Sequence, residues 1–177
     1  MTTSTSSTSS VAAGFGFGTQ SNPPGSSNSS TNCELCFSPG GDLLWHDAHC
    51  RVVRVTGSEA TAFPGYCRVI WTAHLAEMTD LSATRAKHMM DIVLGVERAL
   101  RGLLKPDKIN LASLGNVVPH VHWHVIPRWK DDSHFPAPIW ATPQRPGVMR
   151  PVPSTAELIQ RLQVELPNAL PTLAPKP

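Results

Sequence analysis

The sequence predicts an α+β domain: an antiparallel sheet of about five strands with one long helix and a short C-terminal helix. Three observations carry that prediction. The local patterns run strand, strand, long helix, strand, strand, an order that suits helices packed on an antiparallel sheet. From Ser82 to Lys105, apolar residues (Ala86, Met89, Met90, Val93, Val96, Leu100, Leu103, Leu104) keep three-and-four spacing, the stripe of an amphipathic helix. Residues 120–126, His-Val-His-Trp-His-Val-Ile, alternate strictly, so three imidazoles share one face of a strand while Val121, Trp123 and Val125 share the other.

The elements follow in order. Residues 50–55 (Cys-Arg-Val-Val-Arg-Val) and 66–71 (Tyr-Cys-Arg-Val-Ile-Trp) read as strands, joined through Thr56 to Gly65 with Gly57, Pro64 and Gly65 as punctuation. Ser82 is the expected N-cap of the long helix, and Pro106 stops it. His88 falls on its polar side beside Arg85 and Asp91 and reads as a solvated residue without a role. Lys108 to Ser113 gives another strand, and Gly115-Asn116 leads tightly into the histidine strand at 119–126, with Pro119 and Pro127 as breakers. Beyond Arg128 the prolines at 136, 138, 143, 146, 151 and 153 predict an extended surface segment. Ser154 and Glu157 form a capping box for a last helix over about 155–166, carrying Leu158, Ile159 and Leu162.

At 177 residues the chain reads as one domain, 33–130, between a tail, 1–32, and a proline-rich extension, 131–177, that holds the short helix. Residues 1–32 contain no charged side chain and are dominated by Ser, Thr, Asn and Gly, a composition that predicts disorder. The patch Gly14-Phe15-Gly16-Phe17-Gly18 lacks the preceding strand and following helix of a phosphate loop. Without a basic start followed by a long apolar run, the expectation is a cytoplasmic protein with no membrane partner. A net charge of +2 with no basic block argues against duplex nucleic acid but not against a small anion. Cys50 and Cys67 sit in apolar runs and read as small buried residues.

Histidine is both nucleophile and proton carrier near neutral pH, so a face of three serves chemistry, metal, or both. One strand histidine is an ordinary half-buried residue; a solvated face has no reason to repeat the residue three times. Strand rise of about 3.3 Å per residue anchors His120 and His124 roughly 13 Å apart, whereas zinc holds its donors at about 2 Å. Division of labour therefore fits better than a three-histidine cage. Cys33-Glu34-Leu35-Cys36 has a gap that lets a turn aim both sulfurs at one ion. The redox alternative normally opens a helix in a βαβ setting, whereas Pro39-Gly40-Gly41 follows here. His46, His49, His74 and one triad histidine are the candidate further ligands, and spacing alone leaves that choice open.

The run 120–126 resembles the signature of the histidine triad (HIT) superfamily, histidines alternating with apolar residues. Asn110, Gly115 and Asn116 before it, Pro127-Arg128 after it, and the long helix behind the strand pair are similar to that family as well. The resemblance spans about residues 33–130. It implies a homodimeric nucleotide-binding protein with a HIT-like fold that hydrolyses dinucleoside polyphosphates or nucleoside phosphoramidates. His122 would be the nucleophile, attacking the α-phosphorus to form a nucleotidyl-histidine, and His124 would hydrogen-bond the α-phosphate. Asn110, Gly115 and Asn116 would line the phosphate site. It also implies a structural zinc held by Cys33, Cys36, His74 and His120. A purine nucleotide or dinucleotide is the expected substrate. A noncatalytic nucleotide-binding or zinc-stabilised interaction module is the alternative, and a catalytic metal hydrolase would need an open coordination position. The sequence departs from the family around the ribose, where Glu59 is the one acidic residue in Thr56-Gly57-Ser58-Glu59. Tyr66 stands where relatives carry the histidine of Pro-Gly-His. Phe135 and Trp140 are candidates for a lid.

Overall fold

The computed structural model describes residues 32–167, so the expectations for the Ser/Thr-rich tail and its glycine–phenylalanine patch lie outside the described residues. Five strands, β1 (Asp42–His46), β2 (Cys50–Arg54), β3 (Cys67–Trp71), β4 (Lys108–Ala112) and β5 (His122–Arg128), form one sheet in the order β1-β2-β3-β5-β4. Every neighbouring pair is antiparallel. Helices α1 (Glu34–Phe37), α2 (Ser58–Ala62), α3 (Ala83–Leu104) and α4 (Thr155–Glu165) complete the α+β fold.

One face of the sheet is covered by α3, whose Met89, Ile92, Val93, Val96, Ala99 and Leu100 pack on Cys50, Val52, Cys67, Val69 and Val125. Cys50 and Cys67 are fully buried there, as their apolar surroundings predict. Ser82 caps α3 by accepting from the Arg85 amide, and Lys105 ends it in the left-handed conformation just before Pro106. α4 begins at the expected Ser154–Glu157 capping box and buries Leu158 and Leu162 in the same core. The last helix is therefore part of the domain's packing. Gly95 permits this: a Cβ at that position would overlap Leu166. Between β5 and α4, residues 141–154 carry no regular structure, as the prolines predict. No helix among the described residues is long and apolar enough to cross a membrane.

Four differences from the sequence reading have physical causes. β1 leaves no strand signature in the sequence, because Asp-Leu-Leu-Trp-His lacks alternation; a register shift between Leu43 and Trp45 lets two successive residues, Leu44 and Trp45, both be buried. α1 and α2 are too short to leave a periodic stripe. β5 runs to Arg128, so Pro127 lies inside the strand, opposite Ile109 of β4. Pairing with β3 has already ended at Cys67–Val125, so the strand has a single neighbour there, the setting in which proline is tolerated. His88 is also not a bystander. Its Nε2 is 2.7 Å from Asp47 Oδ2, tying α3 to the β1–β2 turn, while Asp47 Oδ1 accepts from the His49 and Cys50 amides.

Candidate active site

The second face of the sheet carries the chemistry. His120 sits just before β5, held by ladder bonds from the Val121 amide to the Leu75 carbonyl and from the Trp71 amide to the Val121 carbonyl. Its Nε2–H donates to the Trp71 carbonyl at 2.7 Å, which leaves Nδ1 as the lone-pair nitrogen. That Nδ1 is 3.3 Å from Cys33 Sγ and 3.6 Å from Cys36 Sγ, and His74 Nδ1 is 3.4 Å from Cys36 Sγ. These four residues form one cluster whose ligand atoms all lie within 4.8 Å of one another. In a tetrahedral zinc site with bonds near 2.3 and 2.0 Å, a sulfur and a nitrogen stand about 3.5 Å apart. The cluster fits such an ion. Burial holds the His120 imidazole below its ordinary pKa, favouring the neutral, ligating form.

The cysteines reach this point because Cys33 opens the single turn α1. Arg51 of β2 pins that turn by donating to the carbonyls of Leu35, Ser38 and Pro39. The pair does open a helix after all, but no strand precedes it, so the βαβ setting of a redox motif is absent among the described residues. His46 and His49 are not part of the cluster; His49 instead stacks on Trp71, with ring centroids 5.4 Å apart.

His122 and His124 lie next along the strand, rings in edge-to-face contact at 4.8 Å between centroids. His122 Nδ1–H donates to the His120 carbonyl at 2.6 Å. A neutral imidazole has a single N–H, so this bond leaves Nε2 with a free lone pair. Burial depresses the His122 pKa, which keeps the ring neutral. Burial first, then the charges of His122 and Arg68, push His124 down to about 3. The Tyr66 hydroxyl is 2.5 Å from His124 Nδ1. Burial raises that phenol to about 12, so Tyr66 is the donor, Nδ1 the acceptor, and His124 Nε2 carries the hydrogen. Adjacent rings on one strand thus present opposite faces to a substrate: a lone pair on His122, a donor on His124.

Both rings border a cavity of about 660 Å³ shared with Arg68, Asn116, Leu114 and Trp140. Gly115 adopts φ +100°, a conformation that favours glycine and turns the chain from β4 into this wall. Gly115 and Asn116 line the same cavity as His122 and His124. Asn110 does not border this cavity. It pairs with Ile126 farther along β5, and its Oδ1 accepts from Arg128 Nη1 at 2.7 Å. It lines a neighbouring cavity of about 640 Å³, separated from the first by Leu114 and Trp140, which border both. Of the lid candidates, Trp140 stands edge-on to His124 at 5.1 Å, whereas Phe135 packs near the Arg128 guanidinium. Glu59 lies 3.7 Å from Arg68.

Two site residues escape the sequence reading. Arg68 occupies a mid-strand position in an apolar run, and its alternation with Cys67 and Val69 puts it on the second face; only the β3–β5 register shows that it faces His124. Tyr66 stands out in the sequence as a departure from the family pattern, but its partner, 58 residues away, is set by the same pairing.

A β5 strand that puts a bare imidazole nitrogen beside a ring donor, above a Cys/His cluster, defines a histidine-triad protein. A model of the HIT domain matches residues 42–131, half of the chain, and the chain belongs to that family. A histidine triad protein of Bradyrhizobium japonicum is 25% identical, with a TM-score of 0.56 over 70% of this chain and 90% of its own. A HIT protein of Sinorhizobium meliloti shares the fold at 22% identity, TM-score 0.57, over 72% of this chain and 91% of its own. Among curated proteins, an AP-4-A phosphorylase of Mycobacterium tuberculosis is 25% identical over 93 residues, 49% of this chain and 48% of that protein. The chain thus spans about half the length of the curated relatives it matches.

Proposed function

We propose that this protein is a nucleotidyl-transfer enzyme that cleaves dinucleoside polyphosphates or nucleoside phosphoramidates at the α-phosphate through a covalent intermediate on His122. The observation that carries the reading is the His122 Nδ1–His120 carbonyl bond, which reserves Nε2 for attack. His122 Nε2 bonds to the α-phosphorus, the bond to the leaving group breaks, and the leaving atom keeps the electron pair. His124 Nε2–H and the Gly115–Asn116 wall supply donors for the developing charge. Asn110 reaches the substrate only if it extends past Trp140. Water then releases the nucleotide from His122. The likeness to an AP-4-A phosphorylase of Mycobacterium tuberculosis makes inorganic phosphate a second acceptor to test. The purine is the expected base, and the edge strand β4 is the surface through which a homodimer would extend the sheet.

The metal in this reading is zinc, held by Cys33, Cys36, His74 and His120. With four protein ligands it would be structural and would clamp α1 to the start of β5. Metal analysis of protein purified without chelator is expected to find about one zinc per chain, lost in Cys36→Ser. A metal-free wild-type protein with an unchanged melting temperature would remove zinc from the account.

The test of the reaction is incubation with diadenosine tetraphosphate or adenosine phosphoramidate, followed by mass spectrometry without acid. Wild-type protein is expected to gain one adenylyl group, and His122→Ala to lose the adduct and about 10⁴-fold in kcat. Equal turnover by His122→Ala would overturn the nucleophile. Nucleotide binding with neither adduct nor turnover would favour the noncatalytic module, whose sheet and cavity would be the same. Production of ADP with added phosphate, in place of AMP, would identify phosphorolysis.

A further inference from the structure

Arg68 is the one cationic arginine or lysine on the cavity wall, which it shares with the acidic Glu34, and the catalytic roles of the histidines do not use it. It is the second residue of β3, directly opposite His124, between the fully buried Cys67 and Val69. Such a position costs desolvation unless the charge is partnered. The other arginines on this face of the sheet are partnered closely: Arg51 donates to three carbonyls, and Arg128 donates to both oxygens of Asp132 and to Asn110 Oδ1. Arg68 is not. Its ion pair with Glu59 is 3.7 Å long, beyond hydrogen-bond reach, and both side chains are partly exposed. Its Nε is buried with no partner among the described residues. The Tyr66 ring centroid lies 5.8 Å from the guanidinium carbon, and the unpartnered donor is Nε–H.

We propose that Arg68 is a specificity-determining residue that holds the condensed phosphate of the leaving group, so that the enzyme favours anionic leaving groups over amines. The inference rests on the His122 reading of the site and deepens it. When His122 attacks the α-phosphorus of a dinucleoside polyphosphate, the α-phosphorus–oxygen bond breaks and the electron pair stays on the leaving phosphate oxygen. That phosphate gains negative charge in the transition state, where a preorganised cation acts most strongly. A phosphoramidate expels an amine, which leaves protonated and offers no oxyanion. The planar guanidinium fork suits two phosphate oxygens at once, and its unpartnered Nε–H is one of the donors such a pair uses. His124, with its single donor nitrogen, serves the α-phosphate; Arg68, one strand away, serves the next.

The experiment compares wild type, Arg68→Gln and Arg68→Lys on diadenosine tetraphosphate and adenosine phosphoramidate, with melting temperatures recorded. Arg68→Gln is expected to lower kcat/KM for the polyphosphate at least tenfold more than for the phosphoramidate. Arg68→Lys, which keeps charge but not the fork, is expected to fall between. Equal losses on both substrates would overturn the proposal, because they would place Arg68 on the α-phosphate or in the scaffold. If wild type turns over neither substrate, the catalytic reading fails by itself, and binding of inorganic tripolyphosphate by calorimetry decides the role of Arg68. A five- to tenfold weaker affinity in Arg68→Gln then supports the anion site, and an unchanged affinity refutes it.

Discussion

The two ends of β5 carry polar residues on the same face and treat them in opposite ways. At the C-terminal end, Arg128 and Asp132 are 1% and 2% exposed and nearly saturated. Asp132 accepts from Arg128 Nε and Nη2 and from the amides of Trp129, His134 and Phe135, while Arg128 Nη1 donates to Asn110. Burial alone would raise the Asp132 carboxyl, but the Arg128 guanidinium and those amides hold it below the usual range. At the N-terminal end, His122, His124 and Arg68 are half to fully buried, and each keeps an atom in reserve. About 13 Å of strand separates His124 from Arg128. Burial therefore serves different ends: saturated groups lock the chain, and unsaturated ones wait for a substrate.

The sharpest way to break this contrast is to unsaturate the locked end. Asp132→Ala leaves a buried guanidinium and three backbone N–H groups without their acceptor. Removing one partner of a buried ion pair costs about 3–5 kcal/mol, which for a chain of this size lowers Tm on the order of 10 °C. The loss should appear in thermal melts, while the activity of the fraction still folded stays near that of wild type. A folded Asp132→Ala protein with normal Tm and little activity would show that the two ends are not separate in purpose.

The same contrast explains what the sequence made legible. β5, α3 and α4 came from local signals, alternation, a helical stripe and a capping box, each contained within one element. The division of the triad was partly legible, because strand rise alone separates His120 from His124. The choice of His74 over His46 and His49 came from the resemblance, and the geometry of the Cys/His cluster agrees with it. What stayed hidden depends on which strands are neighbours. Arg68 and Tyr66 gain their meaning from β3 lying against β5, and Asn110 is drawn to Arg128 by the β4–β5 register. No periodicity within one element reports a partner in another. His88 escaped for the same reason, since its position on α3 looks solvated until the β1–β2 turn brings Asp47 to it.

A smaller change sharpens the comparison from the other end. Tyr66→Phe keeps the ring beside Arg68 and removes only the hydroxyl that donates to His124 Nδ1. That hydroxyl is the single bond that tells His124 which nitrogen to protonate, so Tyr66 acts as a positioning residue. Without it the imidazole divides between tautomers, and one of them points a lone pair, not a donor, at the phosphate. The loss expected for one such hydrogen bond is about 0.5–1.5 kcal/mol, and kcat should fall up to about tenfold with KM little changed. The acid limb of the rate profile should not move. Burial is the leading cause that holds His124 near 3, with His122 and Arg68 next, and Phe leaves all three in place. His124 therefore stays neutral down to about pH 4 in both proteins. An acid limb displaced toward higher pH in Tyr66→Phe would mean that the hydroxyl governs the charge on His124 rather than its tautomer. A kcat equal to wild type would mean that the edge contact with Trp140 is enough to orient the ring.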